Sequence, residues 1–477
     1  MHELRPTGDG PRPTDDLVLG YVGGGSGGWA PTLMNDLAQC PDLAGHVRLY
    51  DVDHERAERN ARFGNQIGAR AEAVGDWTYS AVADLDAALE GADFVVLSTQ
   101  DPPHETMVHD LDVPAEYGIY QTVGDTVGPG GIMRGMRAVP QYREIAAAVR
   151  ENCPDAWVIN YTNPMTVCTR TLYEEYPDIN AVGLCHEIFN VQGFFADLVG
   201  EYLEYDRPPR AEIDLDVTGI NHFTWVTGAR WRGLELDDLL DRELASQKPL
   251  PNFEPGDMTE ESWFVDNDQV ALDLYDRYGV FAAAGDRHLA EFVPWYLSVD
   301  DPDEVHRWGI KLTTSDYRVN KWPNDDDRIE SYLDDPASFE FHESGEEAVD
   351  IVRALCGLDS VKTNVNVPNV GQAPDLPEGA VVETNGLFTG DALTPLQGGT
   401  LPDDVRSLVL RHVQNQETLV EAGFDGDVDR AFRAFCNDPL VALDREDTAD
   451  LFRDLVAAER DYLTDWNLDH ASVLDGE

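Results

Sequence analysis

A glycine-rich segment between an apolar run and an amphipathic run is the feature that most constrains the fold of this chain. The apolar residues 16–22 (DLVLGYV) are typical of a buried strand. They lead directly into GGGSGG (23–28), and residues 29–38 (WAPTLMNDLA) then have the pattern of a helix. Dinucleotide-binding folds begin with a tight glycine turn between a strand and a helix, so the sequence predicts an α/β protein.

The spacing of the glycines supports the same prediction. Gly23, Gly25 and Gly28 form G-x-G-x-x-G, which permits a tight turn, close approach of a pyrophosphate and contact between helix and strand. We predict that these glycines and Ser26 contact NAD, with its phosphates at the amide groups that begin the helix. Asp51 ends the next strand and is expected to accept from a ribose hydroxyl, which favours NAD over NADP. The alternative is a structural turn in a protein that binds no nucleotide.

Apolar runs and helical patterns continue to alternate for about 190 residues. The further runs are 46–53, 92–100, 157–164 and 179–187. This alternation predicts a parallel, doubly wound, Rossmann-like sheet over residues 16–200, preceded by a flexible tail over residues 1–15.

The pattern changes at about residue 201. Residues 214–233 alternate between apolar and polar side chains, which indicates antiparallel strands. Long amphipathic segments lie near 262–279, 403–425 and 442–465. The acid-rich residues 323–347 are expected to form a solvated loop. We therefore predict an α+β C-terminal domain over residues 201–477 that carries catalysis and oligomerisation.

The charge of the chain excludes several kinds of partner. The 477 residues contain 91 Asp and Glu against 34 Lys and Arg, a formal net charge of −57. This deficit of basic residues argues against binding to nucleic acid or to an anionic membrane. Hydrophobic residues make up 42% of the chain, enough for a large core, so the acidity does not indicate disorder. We interpret it as an adaptation to high salt, where screening makes self-repulsion tolerable.

The cysteines and apolar runs indicate the compartment. The six cysteines form no C-x-x-C pair, which argues against a disulfide framework or a zinc ribbon. No apolar run approaches the roughly 18 residues of a membrane span, and the N-terminus has no apolar signal core. We therefore expect a cytoplasmic protein without a membrane partner.

Three short polar motifs carry the candidate chemistry. They are NYTNPM (160–165), GLCHE (183–187) and GINHFTW (219–225). Ligands of parallel sheets bind beyond the carboxyl ends of the strands, so Asn163 and Cys185 are expected to face one crevice. Cys185 and His222 could supply the thiolate and imidazole of a transition-metal site. The alternatives are a buried small hydrophobic cysteine and a hydrogen-bonded core histidine.

A flexible loop with basic residues suggests an anionic ligand. Residues 121–140 contain several glycines, and Arg134 and Arg137 fall on the helix expected to follow them. Arginine can grip a carboxylate bidentately, which makes a hexuronic acid a plausible substrate. The alternative is that both arginines pair with the many carboxylates of the chain itself.

Together, the motifs resemble the NAD- and manganese-dependent glycoside hydrolases of family four, the group of α-galactosidases, α-glucosidases and α-glucuronidases. The resemblance runs from about residue 16 to residue 465. Besides the three polar motifs, the matching stretches are 23–31, 121–140, GDRHLAEFVPWYL (285–297) and 366–383. It implies a Rossmann domain followed by a C-terminal half like that of lactate and malate dehydrogenases.

The resemblance also implies roles for the residues of the polar motifs. Cys185 and His222 are the implied ligands of Mn²⁺ or another divalent transition metal. Asn163 resembles an asparagine that binds sugar hydroxyls, and Asn221 is expected to point into the same pocket.

Further residues are implied to act on protons and on the substrate. His186 occupies the position of the proton donor, and Asp286 is our candidate for the base in preference to any tyrosine. His288 is a secondary candidate for the base, and both His288 and Arg134 are expected to contact the substrate.

The activity implied by the resemblance is the hydrolysis of an unphosphorylated α-galactoside, α-glucoside or α-hexuronide. C3 of the sugar is oxidised with NAD, the C2 hydrogen thereby becomes acidic, and its removal expels the C1 substituent. Water then adds and the hydride returns, so NAD is recycled. The family also implies a homodimer or homotetramer. The alternative activity is that of an NAD-dependent dehydrogenase of hydroxy acids or polyols.

Overall fold

The computed structural model describes residues 12–100, 104–247, 253 and 266–475. The strands are β1 (Leu17–Val22), β2 (Ala44–Tyr50), β3 (Asp76–Ala81), β4 (Phe94–Leu97), β5 (Trp157–Asn160), β6 (Asn180–Gly183), β7 (Ile213–Ile220), β8 (Phe223–Trp231), β9 (Leu234–Glu235), β10 (Phe281–Ala282), β11 (Ser360–Pro368), β12 (Val381–Thr389) and β13 (Ala392–Pro395). The first helices are α1 (Trp29–Ala38), α2 (His54–Gly68), α3 (Leu85–Leu89), α4 (His104–Glu116), α5 (Gly128–Asn152), α6 (Met165–Glu175), α7 (Glu187–Tyr202) and α8 (Asp237–Ser246). The others are α9 (Gln269–Tyr278), α10 (Asp286–Phe292), α11 (Ser315–Asp334), α12 (Ala348–Leu355), α13 (Asp403–Asp425), α14 (Val428–Asn437) and α15 (Arg445–Ala458).

The first half of the chain forms a parallel sheet in the order β3-β2-β1-β4-β5-β6. This is the strand order of the Rossmann fold, which confirms the predicted fold class. Phe94 and Val96 of β4 belong to one apolar cluster, and Val95 and Leu97 belong to another. Alternate side chains of a strand point to opposite faces of a sheet, so helices cover both faces of this one.

The second half continues the same sheet with antiparallel strands. Asn366 of β11 pairs with Gly183 of β6, and the order beyond it is β12-β7-β8-β10. The strands β7 and β8 form the antiparallel pair that the alternation over residues 214–233 predicts. Because the sheet is continuous, the carboxyl ends of β5 and β6 lie directly beside the strands of the second half.

The helix α11 corrects one prediction. The sequence predicts a solvated loop over the acid-rich residues 323–347, but α11 extends to Asp334. Ile329 is buried on this helix. Asp326 pairs with Arg56 at 2.9 Å and with Arg59 at 2.6 Å, so part of the acidity neutralises arginines of α2. Arg328 donates to the carbonyl oxygen of Gly27 at 3.0 Å, which fixes α11 against the glycine-rich turn.

The predicted flexible tail over residues 1–15 includes Arg12, which the structure holds on the fold. Residues 1–11 lie outside the described part of the chain. Arg12 is held on the fold, because its Nε donates to Asp391 over 2.7 Å and its guanidinium lies 5.4 Å from the ring of Phe94. In the part of the chain that the structure describes, no helix is long and apolar enough to cross a bilayer.

Candidate active site

A cavity of about 240 Å³ lies beyond the carboxyl ends of β5 and β6, where the two halves of the sheet meet. Of the residues predicted from sequence, Asn163, Cys185, His186, His222, Asp286 and His288 line this cavity. Trp29, the first residue of α1, also lines it, so the cavity reaches the helix that follows the glycine-rich turn. The predicted residues that do not line it are Arg134, Asn221, Gly23, Gly25, Ser26, Gly28 and Asp51.

The imidazole of His222 is held in one tautomer. The hydroxyl of Thr126 donates its only hydrogen to Asp125 over 2.7 Å. Nδ1 of His222 lies 3.2 Å from the same hydroxyl oxygen, so Nδ1 must carry the hydrogen that this oxygen accepts. Burial lowers the pKa of His222 well below its ordinary value, and the ring is therefore neutral. Nε2 then keeps its lone pair, as a metal ligand requires.

Cys185 supplies a second donor to the same cavity. Burial raises the pKa of its thiol well above the ordinary value, and the charges of Glu383 and Glu187 raise it further. A thiolate at this position therefore requires a cation beside it. One sulfur and one imidazole nitrogen fit a divalent transition metal. Among the residues that the structure describes, no group of three or more His, Cys, Asp or Glu could hold a metal, so other ligands would come from substrate or water.

Asn221 lies beside Cys185 and His222 but does not line the cavity. It is fully buried in the turn between β7 and β8, next to the thiol of Cys185. Its contact with a substrate therefore stays a prediction.

A buried carboxylate beneath Cys185 was not predicted from the sequence. Glu383 of β12 accepts from Thr224 at 2.6 Å, from Asn364 at 2.7 Å and from Asn366 at 3.3 Å. Asn364 also donates to the carbonyl oxygen of Cys185 at 2.9 Å. The signal that could have revealed it is a row of polar residues at alternate positions of an otherwise apolar strand, which places them on one buried face.

Asn163 has an amide oxygen that can accept a hydrogen bond from a ligand. Its Nδ2 lies 3.4 Å from Asp125, and its Oδ1 is buried without a hydrogen-bond partner among the described residues. Nε of Arg134 donates to the carbonyl oxygen of Asn163 at 2.9 Å. Arg134 therefore holds the backbone of a cavity residue and does not line the cavity itself, and its contact with a substrate stays a prediction.

The alternative interpretation of Arg137 is confirmed. The guanidinium is buried, lies 2.7 Å from a carboxylate oxygen of Asp110 and also pairs with Glu459. Both carboxylates belong to the chain itself, so Arg137 is not available to an anionic substrate.

Two other arginines line the cavity, and neither was predicted from the sequence. Arg287 lies at the start of α10 and Arg318 in the first turn of α11. Burial lowers the pKa of Arg318, as it does for Arg287, because a charge out of water is disfavoured.

The pKa of Asp125, which also lines the cavity, depends on burial and on nearby basic groups. Burial would raise its pKa, but the charges of His288, Arg134 and Arg318 outweigh burial and lower it.

His186 lies at the mouth of the cavity. Its side chain is 46% exposed, and its Nδ1 is 3.5 Å from a carboxylate oxygen of Glu346. The ring of Trp29 lies between His186 and Tyr161, with centroids at 5.9 Å and 4.6 Å. A flat aromatic surface and a titratable ring therefore flank the entrance.

Asp286 is both a wall of the cavity and a helix cap. Its two carboxylate oxygens accept from the backbone amides of Gln269 at 2.6 Å and Ala271 at 3.0 Å, at the start of α9. Burial raises the pKa of Asp286 well above its ordinary value, and the neighbouring carboxylates of Asp266 and Asp268 raise it further. An ionised carboxylate at this position is therefore a stronger base than that of an exposed aspartate.

His288 packs against His222, the proposed metal ligand. Its ring stacks on that of His222, with centroids 3.8 Å apart and an angle of 23° between the planes. Its Nδ1 is buried and has no hydrogen-bond partner in the described ranges. Its contact with a substrate stays a prediction.

The glycine-rich turn fits the phosphates of a dinucleotide. Gly23 has φ +90°, and a Cβ there would lie 2.3 Å from the carbonyl oxygen of Ser98. A Cβ on Gly25 would lie 2.8 Å from Asp51, whose carboxylate accepts from the Gly25 amide at 2.8 Å. A Cβ on Gly28 would meet nothing within 4 Å, so the expected contact between helix and strand is absent there. Gly28 instead leaves open space at the start of α1, where an anion would bind.

Ser26 stabilises the same helix end. Its hydroxyl oxygen accepts from the backbone amide of Trp29 at 3.2 Å. The first turn of α1 contains no acidic residue, so the amides there face no carboxylate of their own turn. This arrangement is compatible with a bound phosphate.

Comparison with known proteins gives the family. The sequence model described as "Family 4 glycosyl hydrolase" matches residues 18–201, and that of the "Family 4 glycosyl hydrolase C-terminal domain" matches residues 217–441. An alpha-galacturonidase of Thermoanaerobacterium saccharolyticum is 45% identical, over 95% of this chain and 98% of its own. The crystal structure of a putative glucosidase from Bacillus subtilis has a TM-score of 0.87 at 44% identity and covers 92% of this chain and 100% of its own. A 6-phospho-alpha-glucosidase from gut microorganisms, crystallised with NAD and Mn²⁺, has the same fold, with a TM-score of 0.75 at 18% identity over 94% of this chain and 99% of its own. This chain therefore belongs to family 4 of the glycosyl hydrolases.

Proposed function

We propose that this protein is an NAD- and divalent-metal-dependent α-galacturonidase. The observation that carries the proposal is one cavity that combines the donors Cys185 and His222 with the cations Arg287 and Arg318. The relative from Thermoanaerobacterium saccharolyticum, called an alpha-galacturonidase, supports the choice of sugar. Among the substrates expected from sequence, only the α-hexuronide carries an anionic group that such arginines would bind.

The residues present fit both cofactors. The open start of α1 at Gly28 would take the phosphates of NAD, and Asp51 would take a ribose hydroxyl. Cys185 and Nε2 of His222 would hold a divalent metal, with Mn²⁺ as the family resemblance implies. When bound, NAD supplies reversible hydride acceptance and the metal supplies the positive charge that makes the C2 hydrogen acidic.

The chain itself orients the sugar and moves protons. The unpartnered Oδ1 of Asn163 would accept from a sugar hydroxyl. Asp286 would take the proton from C2, because its raised pKa suits a base that must hold that proton through the reaction. His186 would donate to the glycosidic oxygen, since its exposed ring lies at the mouth through which the leaving group departs.

The test is the stoichiometry of the reaction. The protein is incubated with NAD, Mn²⁺, a thiol reductant and an aryl α-galacturonide. In heavy water we expect release of the aryl alcohol and no net NADH, because the hydride returns to C3. We also expect deuterium at C2 of the product, because the proton removed from C2 is replaced from the solvent when water adds. Steady accumulation of NADH, or retention of the original C2 hydrogen, would contradict the proposal.

The dehydrogenase alternative is disfavoured by membership of a hydrolase family. It predicts NADH in proportion to substrate consumed, so the same experiment separates the two. A homodimer or homotetramer and a cytoplasmic location stay predictions, which sedimentation and fractionation would test.

A further inference from the structure

We propose that Arg318, supported by Arg287, binds the C6 carboxylate of the substrate and thereby selects a uronic acid over the neutral sugar. This inference rests on the proposed function and assigns its specificity to one side chain. The two arginines line the cavity from different elements, α10 and α11. The arginines expected from sequence to do this, Arg134 and Arg137, are committed elsewhere.

The positions of both guanidinium groups are fixed by one loop. Nη2 of Arg287 donates to the carbonyl oxygen of Thr122 at 2.6 Å, and Nη2 of Arg318 donates to that of Val123 at 2.7 Å. The same loop is anchored on its other side, because Glu291 accepts from the amide of Val123 at 2.7 Å. Side chains held in this way lose little further freedom when a ligand binds.

Arg318 keeps unused capacity for hydrogen bonding. Its Nε is buried and has no hydrogen-bond partner in the part of the chain that the structure describes. It also forms no ion pair with any carboxylate described there, although acidic residues outnumber basic ones by 91 to 34. Nε–H and a neighbouring Nη–H form the fork that a carboxylate fits bidentately. A buried cation that forms no direct ion pair is costly, and a substrate carboxylate would reduce that cost.

The sequence context separates the two arginines. Arg287 lies in the GDRH stretch (285–288), which resembles a family that also contains enzymes of neutral sugars. Arg318 lies outside every stretch that carries the resemblance. A residue that distinguishes a uronic acid from a neutral sugar is expected outside the shared motifs, so Arg318 is the specificity-determining residue and Arg287 supports it.

The test compares substrates across variants of Arg318. Wild type, R318M and R318K are assayed with NAD and Mn²⁺ on aryl α-galacturonide, α-galactoside and α-galactoside 6-phosphate. R307M, which removes an exposed arginine outside the cavity, is the matched control. Binding of free galacturonate and of free galactose is measured calorimetrically on the same proteins, and thermal midpoints monitor folding.

We expect R318M to lower kcat/KM for the galacturonide roughly 100-fold or more and to leave the galactoside within about 3-fold, because one buried charge-assisted pair is lost. R318K should fall between R318M and wild type, since it keeps charge without the fork. Galacturonate binding should weaken in parallel, and R307M should match wild type.

Three outcomes would overturn the inference. They are equal preference for galacturonide in R318M and wild type, equal use of galactoside and galacturonide by wild type, and preference of wild type for the phosphorylated sugar. A folded wild type that hydrolyses none of the three glycosides would instead refute the proposed function.

Discussion

Replacement of Thr126 by valine is expected to weaken metal binding, although it changes neither of the proposed metal ligands Cys185 and His222. In the native protein the Thr126 hydroxyl gives its hydrogen to Asp125 over 2.7 Å and accepts the Nδ1 hydrogen of His222 over 3.2 Å. Valine has nearly the same shape but no acceptor. The Nδ1 hydrogen then either stays buried and unsatisfied or moves to Nε2, where it blocks the metal.

The magnitude follows from the buried donor. Leaving such a group unsatisfied costs about 1–3 kcal/mol. Partners of this kind typically change metal affinity by roughly 10–100-fold, which agrees with that cost. We therefore expect T126V to raise the Kd for Mn²⁺ by roughly 10–100-fold, measured from the electron paramagnetic resonance signal of free Mn²⁺ in a titration.

Serine is the matched control, because T126S keeps the hydroxyl and should bind Mn²⁺ almost as wild type does. The thermal midpoint in chelator shows whether T126V is folded. If folded T126V bound Mn²⁺ with the affinity of wild type, Thr126 would not be the group that sets the tautomer of His222.

Four other variants or conditions test the site and the fold. D286N should abolish exchange of the C2 hydrogen with solvent and lower kcat roughly 100-fold or more. A lower thermal midpoint with unchanged exchange would show that Asp286 only caps the helix α9. G23A should be strongly destabilised, because its Cβ would lie 2.3 Å from a carbonyl oxygen, while G28A should keep its stability and lose NAD affinity in a fluorescence titration. Burial raises the pKa of Glu291 to about 7, so the stability of the folded protein is highest below the ordinary pKa of 4.5 and falls as the pH rises through 7. At pH 8 the free energy of unfolding of E291Q should exceed that of wild type by up to about 3 kcal/mol, with little difference at pH 4. Equal thermal midpoints of the two proteins at both pH values would refute this. The thermal midpoint of wild type should rise as KCl is raised to the molar range, and full stability in dilute buffer would contradict the interpretation of the charge as an adaptation to salt.

The sequence predicted those parts of the site that depend on local pattern. The strand and glycine turn at residues 16–28 specify their own structure, because turn, helix start and phosphate cradle are contiguous in the chain. Asn163 and Cys185 follow buried strands, and the carboxyl ends of parallel strands share an edge. Their convergence in one cavity therefore follows from the order of strands and polar residues along the chain.

The parts that the sequence did not predict depend on contacts between distant residues. Arg318 and Val123 are 195 positions apart, and Thr224 and Glu383 are 159 apart. No local pattern pairs these residues. The alternation of polar residues on β12 could have marked Glu383 as buried, but it could not have identified Thr224 as its partner, and no local pattern marked Arg318 as a cavity residue. The helix α11 was missed for a related reason, because Asp326 pairs with Arg56 and Arg59 of α2 and the acids of this segment are therefore not all solvated.

The net charge of −57 belongs to the whole chain, whereas the wall of the cavity also contains two arginines, Arg287 and Arg318. Arg134 and Arg318 contribute positive charge beside Asp125, whose pKa lies below its ordinary value despite burial. Exposed charges separated by more than about 8 Å are largely screened at physiological ionic strength, but buried groups are screened much less. Salt would therefore weaken the repulsion between the acidic surface and an anionic sugar while leaving the attraction of the buried arginines in place. The proposed binding of an acidic sugar is therefore compatible with a strongly acidic chain, because the surface charge and the buried arginines act over different distances.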